Sequence, residues 1–316
     1  MTVCIAARCA HQNGGGVIFG ACDRMMTAGD IKFEAATSNK LIILTPSLVV
    51  MTAGDIALQD EIMREVYNVV KARVESDPTN WWRIKDVTEL YVQIYLHAKS
   101  KRASNAILAP LGLTQESFLA RQNELSDNFI TQINSELINY RVQTVETIIT
   151  GIDTDGGPHI YMVEDGLISC RDSIGFAAIG SGSRHAESQF MLQRHAWNSP
   201  VTDTLLLAYI AKKRAETAPG VGHETDMFMI PHLGGFDTLS TAAMEKLQAE
   251  YEQILEGERS IFNNSKQEMK TYVEKISEKP AITQGETSSS NLAEGSPSTD
   301  RSTLQEPTAE GKKSAT

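Results

Sequence analysis

The sequence predicts an α+β domain in which sets of antiparallel strands are flanked by helices. Three observations carry this expectation. Short apolar runs separated by glycine turns fill residues 2–54 and recur over 144–179. Stretches of helical periodicity lie between and after them, and a last apolar run closes the domain at 225–230. The resulting order is strands, helices, strands, helices, strand.

The first run, Thr2-Val3-Cys4-Ile5-Ala6-Ala7, returns through His11-Gln12-Asn13-Gly14-Gly15-Gly16 into Val17-Ile18-Phe19-Gly20-Ala21-Cys22, an antiparallel hairpin ending at Asp23-Arg24. A third run, Leu41-Ile42-Ile43-Leu44, follows Asn39-Lys40, and a fourth, Ser47 to Thr52, stops at Ala53-Gly54-Asp55. Residues 55–75 form a helix with Ile56, Ile62, Val66, Val69 and Val70 near the i, i+3, i+4 pattern, ended by Asp77-Pro78. A second helix runs from about Val87 to Ala106, with Leu90, Ile94 and Ala98 on one face. Strands are expected at Thr144–Ile152, His159–Val163, Leu167–Arg171 and Ile174–Ile179, then helices at 184–197 and 201–217 and a core strand at Thr225–Ile230. The reading divides the chain into a domain over 1–235, a charged helix within 236–277, and a Ser, Thr, Glu, Gly and Pro rich tail over 278–316 that is expected to be disordered.

Composition narrows the function. The 316 residues are 41% hydrophobic, enough for one large core. A net charge of −11 argues against a nucleic-acid partner, because phosphate contact needs a basic surface. No apolar stretch of ~18 residues offers a membrane span, and no signal-peptide pattern opens the chain. Cys4, Cys9, Cys22 and Cys170 lack Cys-x-x-Cys spacing, so free thiols in a reducing cytoplasm are expected. His185 with His195, and His223-Glu224-Thr225-Asp226 with His232, have no recognised metal spacing, and Gly14-Gly15-Gly16 lacks the Lys-Ser/Thr of a phosphate loop. No metal or cofactor is expected.

The chemistry centres on Thr2, which follows Met1 and becomes N-terminal once Met1 is removed. An N-terminal threonine carries a hydroxyl and an α-amine of pKa ~7.7 to 8.0 on one residue, so the amine can serve as general base to its own hydroxyl. Downstream stand Asp23-Arg24-Met25-Met26-Thr27, Lys40, Ala53-Gly54 and the turn Gly180-Ser181-Gly182-Ser183. In order and context this set resembles the proteasome β-subunit family and its bacterial relatives, the N-terminal-nucleophile hydrolases. The Lys40 to Gly54 interval matches that family's, with one residue more than usual between Asp23 and Lys40.

The resemblance implies a four-layer αββα sandwich and a threonine peptidase acting in a ring-shaped oligomer on polypeptide. By carry-over, Thr2 attacks the carbonyl, Lys40 stays charged beside it and is held by Asp23, the Gly54 amide donates to the oxyanion, and Ser181 positions the amine. Met26, Thr27, Thr52 and Ile56 would line the substrate pocket and give it a medium apolar preference. A separate ATP-dependent unfoldase or activator would be the source of any energy dependence, since the chain has no ATP-binding motif.

Two stretches depart from the family pattern. Where the family has an Asp and, three residues on, a Ser before a Gly, this chain has Glu216-Thr217-Ala218-Pro219-Gly220. Glu216 is a candidate for the Asp, but Pro219 has no hydroxyl. An additional segment at about 107–140, with Pro110, Leu111-Gly112-Leu113 and a Thr114-Gln115-Glu116 helix start, is expected to add helix. These departures leave two other readings open, a catalytically silent structural relative and an amidase acting on a small amide.

Overall fold

A computed structural model describes residues 2–11, 14–28, 31–36, 40–79 and 81–277. Met1, Gln12-Asn13 of the first turn, Gly29, Asn39 and the 278–316 tail lie outside the described residues, and of Thr27 only the backbone is described.

The chain is α+β with antiparallel sheets. One sheet has the order β10 (Phe176–Ile179), β1 (Cys4–Ala10), β2 (Gly16–Asp23), β11 (Thr225–Ile230) and β12 (Asp237–Thr238). The other has the order β5 (Leu41–Thr45), β6 (Leu48–Gly54), β7 (Val145–Ile152), β8 (Pro158–Glu164) and β9 (Leu167–Cys170). A separate hairpin, β3 (Met25–Ala28) with β4 (Ile31–Glu34), occupies the interval between Asp23 and Lys40. Its β4 residues are all exposed, so it lacks the apolar run that marks the other strands.

The strands read as continuous apolar runs because both faces are covered. All eight residues of β2 are buried. Cys4, Ala6, Ile18 and Cys22 of the first sheet pack against Val49, Met51, Ile148 and Ile160 of the second. On the far side of the second sheet, Val50 and Ile149 meet Leu58, Ile62 and Val66 of α1 (Ile56–Ser76) and Tyr91 and Ile94 of α2 (Ile84–Ile107). On the far side of the first, Ile5, Ala7 and Ala21 meet Ala186 and Phe190 of α5 (Ser183–Leu192) and Leu207, Ala208 and Ala211 of α6 (Val201–Ala215). The Val, Leu, Ile, Met and Phe side chains among these each contribute about 1.5–3 kcal/mol on burial.

Element ends follow local chemistry. Asp55 caps α1, its side chain accepting from the Ala57 amide at 3.0 Å. The second helix begins three residues before its expected start because the Ile84 amide donates to the Asp153 side chain at 2.8 Å, a cap supplied by a remote loop. β10 begins at Phe176 and not at Ile174, since the Ile174 and Gly175 amides both turn back to the Arg171 carbonyl and Gly175 has φ +87°.

The 107–140 segment adds helix as expected. After a short turn at Ala109–Leu111 come α3 (Gln115–Ala120) and α4 (Asp127–Asn139), closing a small core of Leu108, Leu113, Phe118 and Ile133. Thr114 and Ser117 form a reciprocal capping box, side chain to amide in both directions.

Within the expected 236–277 span, the last helix, α7 (Thr241–Ser277), starts only at Thr241 because Asp237–Thr238 pairs as β12. Leu247 and Tyr251 of its first half join the core formed by α5 and α6. The compact unit therefore extends to Glu256, and a second unit begins at Gly257. Within that second unit the helix exposes Ile261, Phe262, Met269 and Val273. Among the described residues no helix is long and apolar enough to cross a membrane.

Candidate active site

Antiparallel order decides where the site falls. β1 begins, β2 and β10 end, and β11 begins at one end of the first sheet, where Cys4 pairs with both Cys22 and Ile179 and Asp23 pairs with Thr225. β5 begins and β6 ends at one end of the second sheet. Thr2 therefore meets Asp23 and the 180–182 turn, Gly222 reaches Asp23, and Lys40 and Gly54 come in from the other sheet.

Asp23 is the centre. Its side chain is fully buried and accepts from five donors. Oδ1 takes the Thr2 hydroxyl, the Val3 amide at 2.9 Å and Lys40 Nζ at 2.8 Å. Oδ2 takes the Met25 amide at 3.1 Å and the Gly222 amide at 2.9 Å. Burial alone would raise the carboxyl pKa, but the Lys40 charge and the hydrogen bonds from Lys40, Thr2 and Gly222 outweigh it and hold the group below its ordinary value. Lys40 is itself mostly buried, with 12% of its side chain exposed, so the pair sits in a medium that screens little.

Thr2 is 3% exposed and is clamped on its backbone. Its amide donates to Ser181 Oγ at 3.2 Å, and its carbonyl accepts from the Gly182 amide at 3.1 Å. Ser181 Oγ lies 3.4 Å from the Thr2 carbonyl and 3.3 Å from that of Pro219, either of which can accept its proton. Pro219, which lacks the hydroxyl that the resemblance asks for, thus offers a backbone oxygen. Gly180 has φ +86°, and a Cβ there would stand 2.3 Å from the Thr2 carbonyl oxygen, so only glycine lets the turn approach so closely. The Gly180 amide donates to the Glu146 carboxylate at 2.5 Å.

A cavity of about 60 Å³ opens beside Thr2, lined by Met25, Met26, Lys40, Ile42, Thr52, Ala53, Gly54, Ile56, Gln59 and Asp60. That is room for a few waters or the tip of a medium side chain. Of the four expected pocket residues, Met26, Thr52 and Ile56 line it, while the Thr27 side chain is outside the described residues. Gly54 adopts φ +114°, and an added Cβ would lie 2.0 Å from the Thr144 carbonyl oxygen. Gly54→Ala is therefore expected to strain the end of β6 by about 1–3 kcal/mol and lower the Tm by about 2–12 °C. A thermal melt indistinguishable from the wild-type protein would refute this.

Glu216 is not brought to the Thr2 cluster. It caps the end of α6 and binds Lys212 Nζ at 2.6 Å, Lys213 Nζ at 2.8 Å and His223 Nδ1 at 2.9 Å. Burial works against its charged form, but these three partners hold its pKa below the ordinary value. Cys4, two residues past Thr2, is held neutral: its thiol donates to the Thr52 carbonyl, and burial raises its pKa well above the ordinary value.

Sequence reasoning missed Gly222, Pro219 and Glu146. The first two act through backbone atoms, which no side-chain pattern announces. Glu146 left only a faint sign, an acid within an otherwise apolar strand. Among the described residues no group of His, Cys, Asp and Glu side chains is arranged to hold a metal. The chain matches no known protein-family model and no curated protein.

Proposed function

We propose that the chain is a threonine peptidase of the N-terminal-nucleophile class, similar to proteasome β-subunits, with Thr2 freed by removal of Met1 and working in a ring of like chains. The observation that carries this reading is the convergence of the Thr2 hydroxyl and Lys40 Nζ on one buried carboxylate oxygen of Asp23. Three successive cores, helix on sheet, sheet on sheet and sheet on helix, support the four-layer αββα architecture that goes with it.

In this reading the freed α-amine takes the proton of the Thr2 hydroxyl as Oγ1 adds to the substrate carbonyl. Lys40, charged and fixed by Asp23, lowers the cost of the oxygen anion. The Gly54 amide donates to the oxyanion of the tetrahedral intermediate, a contact worth about 3–4 kcal/mol. Collapse expels the amine of the leaving peptide, which takes the proton from the Thr2 amine. Water then hydrolyses the acyl ester, returning the hydroxyl and releasing the carboxylic acid. Met26, Thr52 and Ile56 favour a medium apolar side chain before the cut.

The experiment is intact-mass and N-terminal analysis of the purified protein before and after incubation with a threonine-directed β-lactone. Loss of Met1 and a single adduct on Thr2 are expected. A retained Met1 with no adduct would sink the peptidase and favour a structural relative.

A further inference from the structure

Lys212 is the buried charge that the proposed chemistry leaves unused. It lies in α6 with no exposed surface, and its Nζ donates to Glu216 Oε1 at 2.6 Å, the Gly222 carbonyl at 3.0 Å and the His223 carbonyl at 2.9 Å. An ammonium has three protons, and all three are committed in fixed directions. One acceptor is the charge partner expected of a buried cation. The other two are consecutive carbonyls of the loop whose Gly222 amide donates to Asp23 Oδ2 at 2.9 Å.

That loop needs an anchor. Gly222 is the residue type with the widest backbone freedom, yet its amide must hold one direction. A side chain would crowd the loop there, since a Cβ would lie 2.5 Å from Glu34 Oε1 and 3.0 Å from Met25 Cβ. Lys212 fixes the residue from its carbonyl side, while Asp23 receives its amide.

We propose that Lys212 is a positioning residue for the Thr2 site: by gripping the Gly222 and His223 carbonyls it aims the Gly222 amide at Asp23 and so keeps the carboxylate that holds Thr2 and Lys40 in place. This rests on the peptidase reading for its catalytic consequence, although the positioning itself does not. The charged groups around Lys212 are Glu216, Lys213, His223 and Asp23, and those around Asp23 are Lys40 and Lys212.

The test compares three variants of the full chain. Lys212→Met removes the grip but leaves Glu216 without its closest cation, so the double variant Lys212→Met/Glu216→Gln, which removes both charges together, is measured beside it. Lys213→Met is the control, because Lys213 binds the same Glu216 oxygen at 2.8 Å and removes the same charge one residue away. Two readouts are taken: the rate of β-lactone labelling at Thr2 against pH, and hydrogen exchange at the Gly222 amide.

Both Lys212 variants are expected to label at least about tenfold more slowly, with the acid limb moved to higher pH because Asp23 loses a donor that favours its charged form. Their Gly222 amide is expected to exchange at least about tenfold faster than in the wild-type protein. Lys213→Met stays within about twofold on both readouts, because the Gly222 and His223 carbonyls keep their grip from Lys212. Wild-type labelling and exchange in the Lys212 variants overturn the proposal, as does an equal loss in Lys213→Met. If the wild-type protein is not labelled at all, the peptidase reading fails, and Gly222 exchange alone decides: faster exchange in the Lys212 variants upholds the positioning role, and unchanged exchange overturns it.

Discussion

Thr2→Ala is expected to abolish β-lactone labelling and to lower peptide hydrolysis by at least about 10⁴-fold, the scale seen when a nucleophile is removed from a unit that acts together. The fold should survive. Thr2 contributes one of five donors to Asp23, and a hydrogen bond to a charged group is worth about 1.5–3 kcal/mol, so the remaining four keep the carboxylate satisfied. Thr2→Ser keeps the hydroxyl and the amine and should retain activity within roughly tenfold. The pair of variants separates chemistry from architecture. Equal activity in Thr2→Ala and the wild-type protein, measured on the same peptide, would remove Thr2 from the mechanism outright.

Asp23→Asn should be costly twice over. The amide keeps the shape but cannot carry the charge that Lys40 faces, and its NH₂ group would confront donors now aimed at Oδ1 or Oδ2. Breaking a buried pair by removing one partner costs about 3–5 kcal/mol. Activity should fall on the order of 10³-fold, because Lys40 loses its fixed position beside the nucleophile.

The pH dependence supplies an internal check with a definite sign. The folded Asp23 pKa is depressed, so its contribution to stability is fully present above the unfolded value of ~3.9 and is lost as pH falls through the folded value. The difference in urea midpoint between Asp23→Asn and the wild-type protein should therefore be large at neutral pH and shrink below about pH 4. A gap that is the same at pH 7 and pH 3 would mean that the carboxylate charge contributes nothing to folding.

Much of this arrangement was legible in the residues themselves. Thr2, Asp23, Lys40, Gly54 and Ser181 each stand at a strand end or in a glycine turn, which apolar runs and breakers mark, but that these five belong together came only from the family resemblance. Antiparallel pairing then brings the ends together. The β3 and β4 hairpin escaped because Ile31 and Phe33 are exposed and no buried face imposes a period on it. The partners of Glu216 were hidden for a different reason. An acid near a helix end says nothing about which of several cations will claim it, and here Lys212, Lys213 and His223 do. The Gly222 amide and the Pro219 carbonyl were invisible because every residue but proline offers the same backbone donor and all offer the same acceptor.

The long loops closed around Thr2 also set an order of events during synthesis. Ser181 reaches Thr2 across 179 residues, and Gly222 reaches Asp23 across 199. At roughly 5–20 residues per second, translation needs about 10–40 s after Asp23 leaves the ribosome before Gly222 exists to meet it. Until then Thr2 has neither its serine nor its fully oriented carboxylate. Thr2 thus precedes nearly all of its surroundings in the chain, and a nascent chain cannot complete this cluster before residues 180–222 have been made.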